Sequence, residues 1–159
     1  MRLESGDLIE SAIQGQFDVV VHGCNCFNTM GAGLAKNIQQ YFPEAYSADC
    51  RTKKGDRGKL GTYTQATVNI NNQVITIVNA YTQYYYGRGK DLFEYEAFQE
   101  ILEQLCVEFH GKRFGFPLIG CGLAGGDRDR ILTMIKGVMA EESVVILEKI
   151  APVSKVRPF

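Results

Sequence analysis

The chain has 159 residues, 45% hydrophobic and 22% charged, enough for one domain (residues 1–159) with a sizeable core. With 17 Lys and Arg against 18 Asp and Glu, the near-zero net charge offers no bulk attraction to a polyanion such as duplex DNA and leaves a compact anionic ligand open. Residues 1–7 lack the apolar core of a signal peptide, and no stretch approaches the roughly 18 apolar residues of a membrane span, so a soluble cytoplasmic protein with no membrane partner is expected.

Taken in order, the pattern alternates between strand and helix. Residues 3–9 read as a first strand, 11–15 as a short helical turn and 17–23 as a second strand. A first long helix is expected over 31–42, ended by Pro43, which disfavours helix in the residue before it. Residues 46–54 read as another helix. The β-rich runs 62–69 and 74–81, joined through Ile70-Asn71-Asn72-Gln73, read as a hairpin. Residues 82–90, polar, aromatic and glycine-containing, are placed as a mobile loop near a site. Apolar residues at helical spacing from 92 to 109 predict a packed amphipathic helix whose aromatics belong to the core. A strand over 114–119, a helix over 127–139 and a last strand over 144–150 follow, then a surface tail over 151–159. The alternation implies a three-layer α/β/α sandwich around a mixed, mostly parallel sheet.

Two stretches carry chemistry. The run Val19-Val20-Val21-His22-Gly23-Cys24-Asn25-Cys26-Phe27-Asn28-Thr29-Met30-Gly31-Ala32-Gly33-Leu34-Ala35-Lys36 passes from a buried strand through a glycine loop into a helix. The run Phe116-Pro117-Leu118-Ile119-Gly120-Cys121-Gly122-Leu123-Ala124-Gly125-Gly126-Asp127 repeats that logic. Free N–H groups at such loops suit phosphate, and two loops at the carboxyl ends of one sheet suit a pyrophosphate. The other reading is that both are only tight strand-to-helix turns. The five cysteines are odd in number and lack C-x-x-C spacing, which fits reduced thiols. Cys26 reads as a nucleophile or as a small loop-lining residue. No cluster of His, Cys, Asp or Glu has metal-ligand spacing, so neither a metal nor another cofactor is expected.

The strand ending in His22-Gly23-Cys24-Asn25, followed by Met30-Gly31-Ala32-Gly33-Leu34-Ala35, resembles the first ligand loop of macro domains, the ADP-ribose-binding family. Ile119-Gly120-Cys121-Gly122-Leu123-Ala124-Gly125 resembles the family's second phosphate loop, and Gly6-Asp7-Leu8 its Gly-Asp-Ile/Leu signature. The resemblance covers most of the chain and implies the same sandwich. It also implies ligand contacts at Asp7, Leu8, Asn25, Met30, Gly31, Ala32, Gly33 and Leu34, and at Gly120, Cys121, Gly122, Leu123, Ala124 and Gly125.

An Asp7 carboxylate suits the exocyclic amine of adenine, with the Leu8 amide donating to a ring nitrogen; Asp7 also reads as a helix cap. Asn25 matches the residue that bonds the distal ribose in the family, and equally reads as a turn residue. His22 stands where the commonest family pattern has Asn. That departure resembles the branch containing yeast-type ADP-ribose 1″-phosphate phosphatases, which implies His22 as general acid/base or as orienting the distal phosphate; a core histidine bonded to backbone is the other reading. Asp127 reads either as activating a water at the distal phosphate or as a helix cap. Ala124 stands where other branches carry an Asp or an aromatic residue, and residues 74–81 hold no Lys, so a Lys/Asp glycohydrolase mechanism is disfavoured. Phe27 or one of Tyr84 to Tyr86 is left to cover the distal ribose. The expectation is a phosphatase acting on ADP-ribose 1″-phosphate, with His22 and Asp127 catalytic. The alternatives are a non-catalytic reader of ADP-ribose or of ADP-ribosylated macromolecules, and an ADP-ribosyl-acceptor hydrolase. No sequence-specific nucleic-acid binding is expected.

Overall fold

The computed structural model describes residues 1–89 and 91–149. The expected tail over 151–159 lies outside them. Among the described residues six strands and five α-helices, with one short 3-10 turn at Arg57–Lys59, follow in the order β1 (Arg2–Ser5), α1 (Leu8–Ile13), β2 (Val19–Cys24), α2 (Gly33–Tyr41), α3 (Pro43–Cys50), β3 (Tyr63–Ile70), β4 (Gln73–Tyr81), α4 (Tyr95–Glu108), β5 (Arg113–Pro117), α5 (Arg128–Val138) and β6 (Ser143–Glu148). The strands form one sheet in the order β1-β6-β5-β2-β4-β3, parallel except where β3 meets β4.

Strand periodicity sorts the core into two layers. On β2, Val19 and Val21 pack with Phe98, Leu102, Ile131 and Ile135 of α4 and α5. Val20, pointing the other way, packs with Ile9, Ala12, Ile38 and Ala45 of α1, α2 and α3. A strand apolar on both faces belongs at the centre of a sheet covered on both sides, and β2 lies between β5 and β4. The expected sandwich with its mixed, mostly parallel sheet is therefore the fold that forms. The β3–β4 hairpin turns through Asn71 (φ 51°) and Asn72 (φ 63°), left-handed residues that match the twist of the flanking strands.

Three boundaries depart from expectation. The first strand ends at Ser5, and the apolar residues expected to extend it to position 9 begin α1 instead. The Asp7 carboxylate accepts the Glu10 N–H at 2.9 Å and caps that helix, and Leu8, Ile9 and Ala12 then share one buried face. Pro43 ends one helix and also begins the next, because its missing N–H costs nothing in a first helical turn. Helix α3 thus runs Pro43–Cys50 in place of the expected 46–54.

Candidate functional site

Beyond the carboxyl ends of β2, β4 and β5 lies a cleft of about 480 Å³. A second hollow of about 310 Å³ continues from it, and Leu34, Pro117, Leu118 and Gly122 line both. Among the described lining residues of the larger cleft there is no Asp, Glu, Lys or Arg. Its polarity comes from neutral side chains, Asn25, Thr29, Thr82 and Gln83 among them, and from backbone amides.

Two elements present those amides. Ala32 caps α2 without a side-chain hydrogen bond, and the first amide to bond back is that of Lys36, to the Ala32 carbonyl at 3.3 Å. The N–H groups of Gly33, Leu34 and Ala35, all cleft-lining, thus lack an intrahelical acceptor. In the second loop, Cys121 N–H bonds Leu118, Gly125 N–H bonds Gly122, and Gly126 N–H bonds the Gly120 carbonyl at 2.7 Å. The amides of Gly122, Leu123 and Ala124 in between take no partner among the described residues, and those three residues line the cleft. Two groups of free donors therefore border one cavity, each suited to an anion.

Most of the sequence-derived residues converge here. Asn25, Gly31, Ala32, Gly33, Leu34, Gly120, Gly122, Leu123 and Ala124 line the larger cleft; Asp7, Leu8 and Cys121 line the smaller. Asn25 holds its own loop: its amide donates to the Thr29 hydroxyl at 2.8 Å, and its carbonyl accepts the Phe27 N–H at 2.8 Å. The Asp7 oxygen not engaged in the helix cap lies 3.8 Å from Lys149 Nζ. Tyr86 is the aromatic that reaches the cleft wall, with Phe27, Tyr84 and Tyr85 packed behind it.

Three of the expected residues, Met30, Gly125 and Asp127, line neither cavity. Met30 is 2% exposed and packs with Cys24, Cys26 and Tyr81, because an apolar thioether between two loops buries itself in preference to facing solvent. Gly125 makes the turn of the second loop at φ 71° and lines neither cavity. Asp127 also lies outside both: its carboxylate accepts the Arg130 N–H at 3.0 Å as the cap of α5, and its N–H donates to Tyr95 Oη at 2.8 Å.

His22 borders the cleft floor yet is 1% exposed. The Asn79 amide donates to the Ala45 carbonyl at 2.9 Å and to Thr64 Oγ1 at 3.0 Å, so its oxygen faces His22 and accepts from Nε2–H at 2.7 Å. The lone pair is left on Nδ1, 3.9 Å from the Cys24 sulfur. Burial lowers the imidazole to about 4, only partly opposed by the Asn79 bond, so the ring is neutral near pH 7. From Thr64 the chain runs 2.9 Å to Tyr81 Oη, which donates to Asp49 Oδ1 at 2.7 Å. Burial also pushes up the Cys24 and Cys26 thiols, and Cys26 is fully buried and lines neither cavity, which argues against Cys26 as a nucleophile.

Sequence reasoning placed segment 82–90 beside the site but missed Thr29 and Pro117 of the larger cleft and Asn37 and Lys149 of the smaller. The signal for Asn37 was available, since it lies one helical turn beyond Gly33 on α2.

Comparison with known proteins bears on this geometry. A protein of Enterobacteria phage T4, described as an uncharacterized 17.5 kDa protein in the tk-vs intergenic region, is 30% identical over 148 residues, covering 90% of this chain and 92% of that one. A crystal structure from Bacteroides thetaiotaomicron superposes with a TM-score of 0.77 at 22% identity, covering 93% of this chain and 99% of the other. Thermosipho africanus DarTG in complex with ADP-ribose superposes at 0.73 and 15% identity, with 98% of this chain matching 42% of that one. The Macro domain profile matches residues 21–135, a span that runs from β2 through both donor-bearing loops to α5, and the chain accordingly belongs to the Macro domain family.

Proposed function

We propose that this macro domain binds ADP-ribose, with the diphosphate between the two glycine loops, the adenine in the smaller hollow and the distal ribose toward Tyr86. The observation that carries the reading is the pair of free-amide groups on one cleft that lacks charged side chains among its described lining residues. Backbone donors bind phosphate without the repulsion or desolvation that a misplaced charge brings. Asp7 and the Leu8 amide suit the adenine edge, and the Thermosipho africanus relative of like fold holds ADP-ribose.

Hydrolysis of ADP-ribose 1″-phosphate is the second reading, supported by the resemblance of His22-Gly23-Cys24-Asn25 to the phosphatase-like branch and by the place of His22 on the cleft floor. A neutral imidazole whose only N–H is engaged by Asn79 offers a lone pair and no proton to a leaving group. Asp127, outside the cleft, adds none. Binding is therefore the function the geometry supports best.

Calorimetric titration with ADP-ribose tests it, and a ³¹P NMR time course with ADP-ribose 1″-phosphate separates the two readings. Saturable binding without phosphate release is the expected result. Multiple-turnover release would install the phosphatase reading, and the absence of any binding would overturn both.

A further inference from the structure

The sheet ends in two unlike edges. At one, β1 is four residues long and carries Arg2 and Glu4. At the other, β3 runs eight residues, Tyr63-Thr64-Gln65-Ala66-Thr67-Val68-Asn69-Ile70, without a charge or a proline, and pairs residue for residue with β4 without a bulge. Charges, prolines and bulges are what keep an edge from pairing with another chain, and β3 has none of them. On its outer side no amide or carbonyl of β3 bonds the backbone of another described residue.

Beside this edge lies a groove of about 560 Å³ lined by Tyr63, Glu100, Glu103, Gln104, Val107 and Glu108, which shares no residue with the cleft or the smaller hollow. Alternation sets Gln65, Thr67 and Asn69 on the face of β3 that Tyr63 turns toward α4, where its hydroxyl donates to Glu108 at 2.7 Å. Val107, 84% exposed, stands among the carboxylates. Residues 91–111 hold six carboxylates and no Lys or Arg, and none of the six forms an ion pair among the described residues. Helix α4 bears this charge at a cost. Glu96 and Glu100 repel at a spacing of one turn, and Glu108 sits in the last turn, where the helix dipole is already negative.

We propose that the β3 edge and the α4 groove together form a docking site for an extended basic peptide segment of another protein, which adds a strand to the sheet. The outward N–H and C=O groups of β3 hold the backbone of that segment, and every second side chain, turned to the α4 side, meets carboxylates. Lys or Arg at alternate positions is the chemistry that fits, with Val107 packing against their aliphatic stems. A second copy of this chain fits the edge but not the groove. Two β3 edges paired antiparallel about a two-fold axis normal to the sheet would bring two acidic α4 faces together. The site stands apart from the ADP-ribose cleft and does not depend on what that cleft binds.

Fluorescence anisotropy on the full chain, with a labelled peptide of alternating Lys and Thr as long as the eight residues of β3, tests the site. Saturable binding that weakens as salt rises is the expected result. Glu100→Gln combined with Glu103→Gln weakens it about fivefold at low salt, for two exposed ion pairs. Alternate amides of a strand point to opposite sides, so N-methylation of every second peptide amide, made in each of the two frames, weakens binding by at least about tenfold in one frame. That comparison uses the wild-type protein and needs no variant to fold. The absence of saturable binding, equal competition by a peptide with the same Lys and Thr in separate blocks, wild-type affinity in the double variant, or full affinity of both methylated peptides would overturn the proposal. Self-association of the chain that the peptide does not reverse, measured by sedimentation, would give the edge to a second copy and overturn it as well.

Discussion

The two loops that border the cleft reach similar donor arrays by opposite means. The first loop is held by side chains. Asn25 ties Thr29 and Phe27, Asn28 (φ 57°) bonds Thr52, and the buried Lys59 bridges Asn28 and Thr52 at 2.8 and 2.9 Å. The second loop is held by the absence of side chains: its amides bond its own carbonyls, and a Cβ on Gly120 would stand 2.2 Å from the Phe93 ring. Adding atoms should therefore damage the second loop, and deleting them the first.

The largest effect is expected at Gly120, whose φ of 74° already strains any other residue. Backbone strain and the collision with Phe93 together predict that Gly120→Ala costs about 4 kcal/mol in urea unfolding. Gly122, two residues on, has no heavy atom within 4 Å of the position its Cβ would take and no left-handed φ. Gly122→Ala should stay within about 0.5 kcal/mol of wild type. Equal costs for the two would mean that this loop is not held by backbone closeness.

The first loop, fed by a strand carrying a buried imidazole, should be the pH-sensitive one. The folded state holds His22 near 4 against an ordinary 6.5 in the unfolded chain, so below 6.5 the unfolded state binds a proton that the folded state refuses. Stability is then lost as pH falls from 6.5 through 4, by up to about 3 kcal/mol at the acid end. Urea midpoints at pH 7, 6 and 5 report this, and His22→Gln should flatten the dependence over that window. An unchanged slope in the variant would assign the acid sensitivity to other groups.

A smaller loss is expected from Lys59→Met, which keeps the apolar stem but withdraws the ammonium from Asn28 and Thr52. About 2 kcal/mol of stability should go, together with ADP-ribose affinity, because buried oxygens lose their strongest donor and the first loop loosens. Wild-type affinity with reduced stability would show the bridge to be structural only.

The same contrast explains what was legible in the sequence. Glycine loops betray themselves locally, so the second loop and the helix-opening part of the first were readable from spacing, as were the β-branched strands and the Asn71-Asn72 turn. The bridges of the first loop were not. Asn79 reaches His22 because β4 pairs with β2 in a register that sets the two side by side, and Lys59 reaches Asn28 across 31 residues. No local pattern encodes either. Helix α1 was misread because an apolar pair as short as Leu8-Ile9 fits a strand or a helix, and the Asp7 cap decides between them. Met30 was drawn into the site by its place in a motif, whereas its burial depends on Tyr81 from another strand.

Asp127 closes the comparison with the smallest effect. It follows the second loop in sequence, where a carboxylate invites a catalytic reading, but its oxygen is engaged by the Arg130 amide and faces neither cavity. A capping carboxylate is worth about 1 kcal/mol, through one satisfied amide and the favourable end of the helix dipole. Asp127→Ala should lower stability by that amount, and Asp127→Asn, which keeps the acceptor, by less. ADP-ribose affinity should not move in either variant, since the second loop is closed by its own backbone bonds upstream of the cap. A loss of affinity or turnover exceeding the loss of stability, measured by titration and unfolding on the same preparation, would return Asp127 to the site and make the second loop, like the first, dependent on a side chain.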